Sequence, residues 1–269
     1  IVPGPAVAGS IRWASPRRDE LSVSNRRIDH LVLAVRDLDA AADFYERLGF
    51  QVGQRNCHPW GTENRLIQFE TSFLELITVG DDPDAIPPRG PEHFSFGAFV
   101  RDYLDKREGC AMFVLDSADA KADAASFASK GIGRFDPFFF ERKGRRPDGS
   151  EIRVAFTLAF AMDPRLPDAS FFVCQQHVPE NFWSAAFQDH ANGATGIESV
   201  TLQTATPSDH ADFLSGFVGV AGETVDGGGL VFPLQRGGRL LVGPGDAGAG
   251  FSGFAVTVSD PRAAERVVG

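Results

Sequence analysis

The chain is poor in cysteine, short of positive charge and free of long apolar runs, and each shortage closes off a class of function. Three cysteines, Cys57, Cys110 and Cys174, stand among 269 residues. None belongs to a C-x-x-C pair and the count is odd, which fits reduced, buried or half-buried thiols in a cytoplasmic protein. Lys and Arg number 26 against 36 Asp and Glu, a net charge of −10. That balance argues against a groove for nucleic-acid phosphates and against adhesion to anionic membranes. No run of about 18 apolar residues occurs, so no transmembrane helix is expected. Residues 1–10 are small and apolar but lack a charged stretch ahead of a continuous apolar core, so they do not read as a secretory signal. No Walker loop, dinucleotide fingerprint or nucleophile elbow is present. Gly227-Gly228-Gly229 precedes a strand and reads as a hairpin turn. The chain opens on Ile1 and stops at Gly269 inside a helix pattern, so a longer protein is expected.

What is there is a repeat. Apolar residues make up 43% of the chain, enough to fill one large core or two ordinary ones. Residues 28–35 are rich in β-branched and apolar side chains, a strand signal. Asp37 or Asp39 can cap the helix that follows, whose stripe is Ala41, Phe44, Tyr45 and Leu48, and Gly49 suits its end. Three strands come next, over 50–54, 64–69 and 73–79. The order β-α-β-β-β recurs, with a strand over 111–115, a helix over 116–130 ended by Gly131, and strands over 137–141, 152–161 and 171–175. Setting Gly131 on Gly49 places Met112 on His30 and brings Asp119 close to Asp37. A third copy starts at Ile197 and a fourth at Phe254. The polar turn 142–150 reads as solvated, although its Arg142, Lys143, Arg145 and Arg146 could receive an anionic substrate.

One βαβββ unit leaves a sheet face uncovered, so units pair. The expected fold is α+β, with repeated modules paired into incomplete barrels around a cavity. The expected division is an N-terminal extension over 1–26, a domain over 27–187 with modules 27–80 and 109–178, and a second module pair over 197–269, cut short. Segments 81–93 and 188–196 are the linker candidates, and 94–107 is a connecting helix.

The stretch Ile28-Asp29-His30-Leu31-Val32 through Phe44-Tyr45 to Leu48-Gly49-Phe50, followed by His58-Pro59, Gly61-Thr62 and Asn64-Arg65-Leu66, then Phe73-Leu74-Glu75-Leu76-Ile77, resembles the vicinal-oxygen-chelate superfamily and its glyoxalase-like subgroup. The likeness is strong over 27–80 and rests on pattern beyond. It implies a pocket for a small molecule between paired modules. It also implies a divalent metal (Zn, Fe, Mn or Ni) held by His30 and Glu75, with Gln175 or His177 completing the shell. Met112, where the paired module should supply a ligand, departs from that pattern. The competing reading makes His30 a core histidine bonded to a buried acid.

His58 is a candidate general base and Glu75 its catalytic companion, with substrate contacts implied from Thr62, Asn64, Arg65 and Gln175. The alternative is a self-satisfied loop in which Asn and Thr cap backbone groups. Residues 177–183, with their mix of His, acid and aromatics, could line the pocket mouth; the simpler reading is a linker whose Phe182 and Trp183 anchor the modules together. His93, His190 and His210 read as surface residues, and Ser199 stands where module 3 would carry a counterpart of His30. Three functions remain open: a metal-dependent lyase, isomerase or dioxygenase, a bleomycin-resistance-type protein that sequesters a small molecule, and an interaction module. The 24 Phe residues favour a hydrophobic ligand under the second. The partner is a small molecule, and the second module pair suits a dimerising half, so a homodimer is allowed for.

Overall fold

The computed structural model describes residues 23–145, 151–245 and 248–268. Most of the N-terminal extension and the tip of the turn after Arg142 lie outside the described residues. Module 1 comprises β1 (Ile28–Ala34), α1 (Leu38–Arg47), β2 (Asn56–Cys57), β3 (Thr62–Gln68) and β4 (Phe73–Val79). Helix α2 (Phe96–Leu104) leads to module 2: β5 (Gly109–Asp116), α3 (Ala120–Ser129), β6 (Phe138–Arg145), β7 (Glu151–Ala161) and β8 (Ser170–Gln176). A short α4 (Pro179–Phe182) precedes β9 (Ala194–Thr204), α5 (Ala211–Val218), β10 (Glu223–Val225), β11 (Gly229–Pro233) and β12 (Arg239–Pro244). Strand β13 (Gly250–Val258) and α6 (Pro261–Val268) follow. Among the described residues no helix is long and apolar enough to cross a membrane.

The repeat is visible in the caps. Asp37 accepts hydrogen bonds from the amides of Asp39 and Ala40, and Asp119 does the same for Lys121 and Ala122. Gly49 and Gly131 follow the two helices at φ of 81° and 70°, where a Cβ would be strained. Asp37, rather than Asp39, is thus the cap of α1. The third helix, α5, has no side-chain cap and ends at Gly219.

Modules 1 and 2 share an eight-stranded sheet in the order β2-β3-β4-β1-β5-β8-β7-β6, curled into a half-barrel. The seam is the antiparallel pair β1–β5, and within each module the first and fourth strands run parallel. Module 3 and β13 form a second sheet, β10-β11-β12-β9-β13, with the same pairing of first and fourth strands. Both faces of the first sheet are covered, which is why β1 is buried along its whole length. Leu31, Leu33, Phe113, Leu115 and Phe171 face outward into a core shared with Phe213 and Phe217 of α5 and Phe251 of the second sheet. Val32, Ala34, Met112, Phe156 and Phe172 face the concave side, together with α2.

Three expectations need correction. Residues 50–54 form no strand. Gly53 donates to the Leu66 carbonyl at 2.8 Å and Gln51 donates to His190 Nδ1 at 2.9 Å, isolated bonds in place of a ladder, and pairing begins at Asn56 and Cys57. His190 is therefore buried, its Nε2 donating to the Gln68 carbonyl at 2.8 Å. His210 is buried too, between Asp163 and Thr204. His93 is exposed, as expected. Of the thiols, Cys57 is exposed, while Cys110 and Cys174 are buried.

Helix α2 approaches the sheet through Gly97. A Cβ there would lie 2.6 Å from the Trp60 carbonyl oxygen, a backbone atom with no freedom to yield. Gly97→Ala is expected to destabilise by about 1–3 kcal/mol through overpacking and to shift Trp60, read as a change in tryptophan emission. An unaltered melt and spectrum would show that the helix can stand off at no cost.

Candidate functional site

The concave face of the first sheet opens on a cavity with about 60 Å³ for the centres of water-sized groups. A single water needs only about 10–15 Å³, so the space is several waters large and takes a small organic molecule. Its wall is largely aromatic, including Phe73, Phe96, Phe140, Phe156, Phe172 and Phe182. Into it project His30, His58, Asn64, Glu75, Arg142 and Cys174.

Strands β1, β3 and β4 and the turn after β2 bring the first four together. On β1, His30 stacks on Phe73 with centroids 4.2 Å apart. Its Nδ1 donates to Asp29 Oδ2 at 2.8 Å, and Nε2 faces Glu75 Oε2 at 3.8 Å. Asp29 is fully buried and is held in turn by Gln176, whose Nε2 donates to Oδ1 at 3.0 Å. Neighbouring β4 supplies Glu75, opposite Val32 in register. From β3, Asn64 donates through Nδ2 to Glu75 Oε1 at 2.5 Å and to His58 Nε2 at 3.3 Å.

His58 Nδ1 donates to Thr62 Oγ1 at 2.9 Å, and its ring stacks on Trp60 with centroids 4.6 Å apart. Burial pushes the His58 pKa down against the pull of Glu75, and Arg142 adds to the lowering. Geometry and charge agree: Asn64 presents a donor to Nε2, so His58 is held as a neutral base.

Arg142 is the residue the sequence reading left in a turn. Strand β6 continues through it to Arg145, so Phe138, Phe140 and Arg142 share one face. That period-2 run was the signal that could have found it. Arg142 Nη1 donates to Asn56 Oδ1 at 2.8 Å, and Asn56 Nδ2 donates to Asn64 Oδ1 at 3.1 Å. A chain of donors thus runs from Arg142 through two amides to Glu75. Burial pushes the Arg142 pKa down from its ordinary value.

The remaining expected site residues lie elsewhere. Thr62 supports His58 from outside the cavity lining. Arg65 extends outward to Asp39, 2.8 Å away. Gln175 caps α3, its Oε1 accepting from the Ala120 amide at 3.1 Å. His177 is exposed, with Nε2 2.7 Å from Thr157 Oγ1. On β8 it is Cys174 that faces the cavity, so Gln175 and His177, an odd number of residues further on, turn away. Cys174 is no thiolate, because burial raises its pKa well above the ordinary thiol value.

A resident divalent cation would have His30 Nε2 and Glu75 as donors. A protein site ordinarily supplies about three or four. Among the described residues no group of three His, Cys, Asp or Glu side chains is placed to hold a metal ion, and a guanidinium already shares the cavity. The donor set does not fit a resident metal, and no step is derived through one.

The curled half-barrel and its cavity have counterparts among known proteins. A hypothetical protein of Staphylococcus aureus superposes with a TM-score of 0.65 at 15% identity, over 83% of this chain and 88% of that one. A variant of 4-hydroxymandelate synthase from Streptomyces coelicolor superposes with a TM-score of 0.58 at 13% identity, over 92% and 75%. These likenesses show the fold alone. A glyoxalase domain-containing protein of Mycosarcoma maydis is 32% identical over 87 residues, which is 32% of this chain and 46% of that one. The match thus spans less than half of the curated relative. The glyoxalase-like domain family matches residues 28–218, the whole of the half-barrel and its first extension. With modules 1 and 2 in the paired βαβββ arrangement and the matched segment covering them both, the chain belongs to the glyoxalase-like domain family of the vicinal-oxygen-chelate superfamily.

Proposed function

We propose that this chain is a small-molecule enzyme of the isomerase or lyase kind, with Glu75 moving a proton of a compound bound in the cavity. The observation that carries the reading is the convergence of Glu75, His30, Asn64 and His58 on one apolar cavity, each oriented by a partner behind it. Structural packing alone seldom places a carboxylate and two imidazoles together inside an aromatic wall. In the reaction, the C–H bond beside a substrate carbonyl breaks and its electron pair becomes the C=C of an enolate. The carbonyl π electrons move onto oxygen, and the proton goes to Glu75 Oε2. Return of a proton to the same carbon from its opposite face restores the carbonyl and inverts that centre, an isomerisation with no further reagent consumed. Asn64 holds Oε1 and so aims Oε2, while neutral His58 stands as the second proton carrier.

The test is exchange of solvent deuterium into a panel of small enolisable aryl ketones and 2-oxo acids. Glu75→Gln is expected to slow exchange by about 10²–10⁴-fold with the melting temperature held. Because burial lowers the His58 pKa, the part of the exchange that needs neutral His58 should persist below pH 6.5. Equal exchange in wild type and variant would sink the reading. The six phenylalanines of the wall favour one rival, a protein that holds a hydrophobic molecule without turning it over. That rival requires binding with no exchange.

A further inference from the structure

Two donors at the cavity are under-partnered among the described residues. Within that set Arg142 makes one hydrogen bond, to a neutral amide oxygen, and no carboxylate lies within ion-pair distance of it. Trp60 is 7% exposed and lines the same cavity, and among the described residues its indole Nε1 is buried without a partner. A half-buried guanidinium that Glu75 reaches only through space, with no carboxylate among the described residues in direct contact, and a buried N–H with no acceptor there are both costly unless something supplies the missing oxygens. Phe140 packs against Trp60 at 4.9 Å between centroids, with Phe138 at 5.3 Å, so these donors sit in an aromatic frame.

The opposite end of the cavity holds Glu75, which would repel an anion. The Asn56 and Asn64 amides stand between it and Arg142. A ligand that satisfies both ends carries its negative group at Arg142 and an uncharged, proton-bearing carbon at Glu75. The guanidinium fork matches a planar carboxylate through two parallel hydrogen bonds. The aromatic wall matches a ring.

We propose that the cavity takes a small aromatic carboxylate, its carboxylate received by Arg142 and the Trp60 indole N–H and its ring held among the surrounding phenylalanines. The proposal rests on the reading of this cavity as a small-molecule site and adds the chemical class and the specificity-determining residues.

Calorimetric titration of the full chain with benzoate, with its neutral isostere benzamide, and with uncharged benzaldehyde tests it. Benzoate should bind at least tenfold more tightly than benzamide. Arg142→Met should remove that preference, and Trp60→Phe, which keeps the ring but loses the N–H, should reduce it by several-fold. Both variants are first checked by thermal melt. If Arg142→Met fails to fold, Trp60→Phe and the acid–amide comparison on wild type decide alone. Benzoate and benzamide binding alike, or a preference that survives both substitutions, would overturn the proposal. So would benzaldehyde binding where benzoate does not, although that outcome leaves the cavity as a ligand site. No binding by any of the three overturns the proposal and the site reading together.

Discussion

Phe171→Ala is expected to cost about 3–5 kcal/mol, the range for removing a fully buried large aromatic. Phe171 has no exposure and stands where three modules meet. Its ring centroid lies 5.1 Å from that of Phe213 and 5.5 Å from Phe217 on α5, 5.3 Å from Phe251 on β13 of the second sheet, and 6.4 Å from Phe113 on β5 in its own. No single neighbour can move to fill the space, because three separate elements hold them. Urea unfolding measures the loss, with Phe139→Ala as control. Phe139 is 52% exposed, and its truncation should stay within about 0.5 kcal/mol. A loss below about 1 kcal/mol for Phe171→Ala would mean that the two sheets do not pack as described.

Asp163→Ala should be the next most damaging change, at about 3 kcal/mol, because it strands a buried imidazole. Asp163 Oδ2 lies 2.8 Å from His210 Nδ1, whose Nε2 is 3.1 Å from Thr204 Oγ1, and Arg165 clasps the same carboxylate at 2.6 Å. Burial alone would raise the Asp163 pKa. The hydrogen bonds from Arg165 and His210 outweigh it and hold the value down to about 2, against an ordinary 3.8. A folded-state pKa below the unfolded one means that the carboxylate stabilises the fold fully above pH 3.8. That stabilisation, worth about 2 kcal/mol for a shift of this size, is lost as pH falls toward 2. Melting temperatures of wild type and variant should differ most above pH 4 and converge on acidification. A gap independent of pH between 4 and 2 would show that His210 and Arg165 do not act on the ionised form.

Much of this architecture is legible in the sequence. The Asp37 and Asp119 caps, the glycines after each helix and the apolar strands fix the modular order, because those signals are local. His30, Asn64 and Glu75 are legible as a site because strand parity puts them on the cavity side. Three things escaped for physical reasons. The end of β6 reads as a polar turn, since the charges from Arg142 onward mask the alternation that Phe138 and Phe140 begin. Which of Cys174, Gln175 and His177 faces inward depends on register, and a shift of one residue inverts the answer. His190 and His210 look like surface residues because their partners, Gln68 and Asp163, are distant in sequence and only the fold assembles them.

The amides of Asn56 and Asn64 have a consequence for the empty cavity's readiness. Asn64 must turn its NH₂ toward Glu75, because its oxygen there would meet a carboxyl oxygen. That choice obliges its oxygen to face Asn56, and Asn56 in turn to offer oxygen to Arg142. Each orientation dictates the next, so no single amide can flip without breaking two bonds. The cavity therefore has a fixed polarity before anything enters it, donor-rich at one end and acceptor-rich at the other. A ligand finds these dipoles already aligned, and none of its binding energy is spent on turning them.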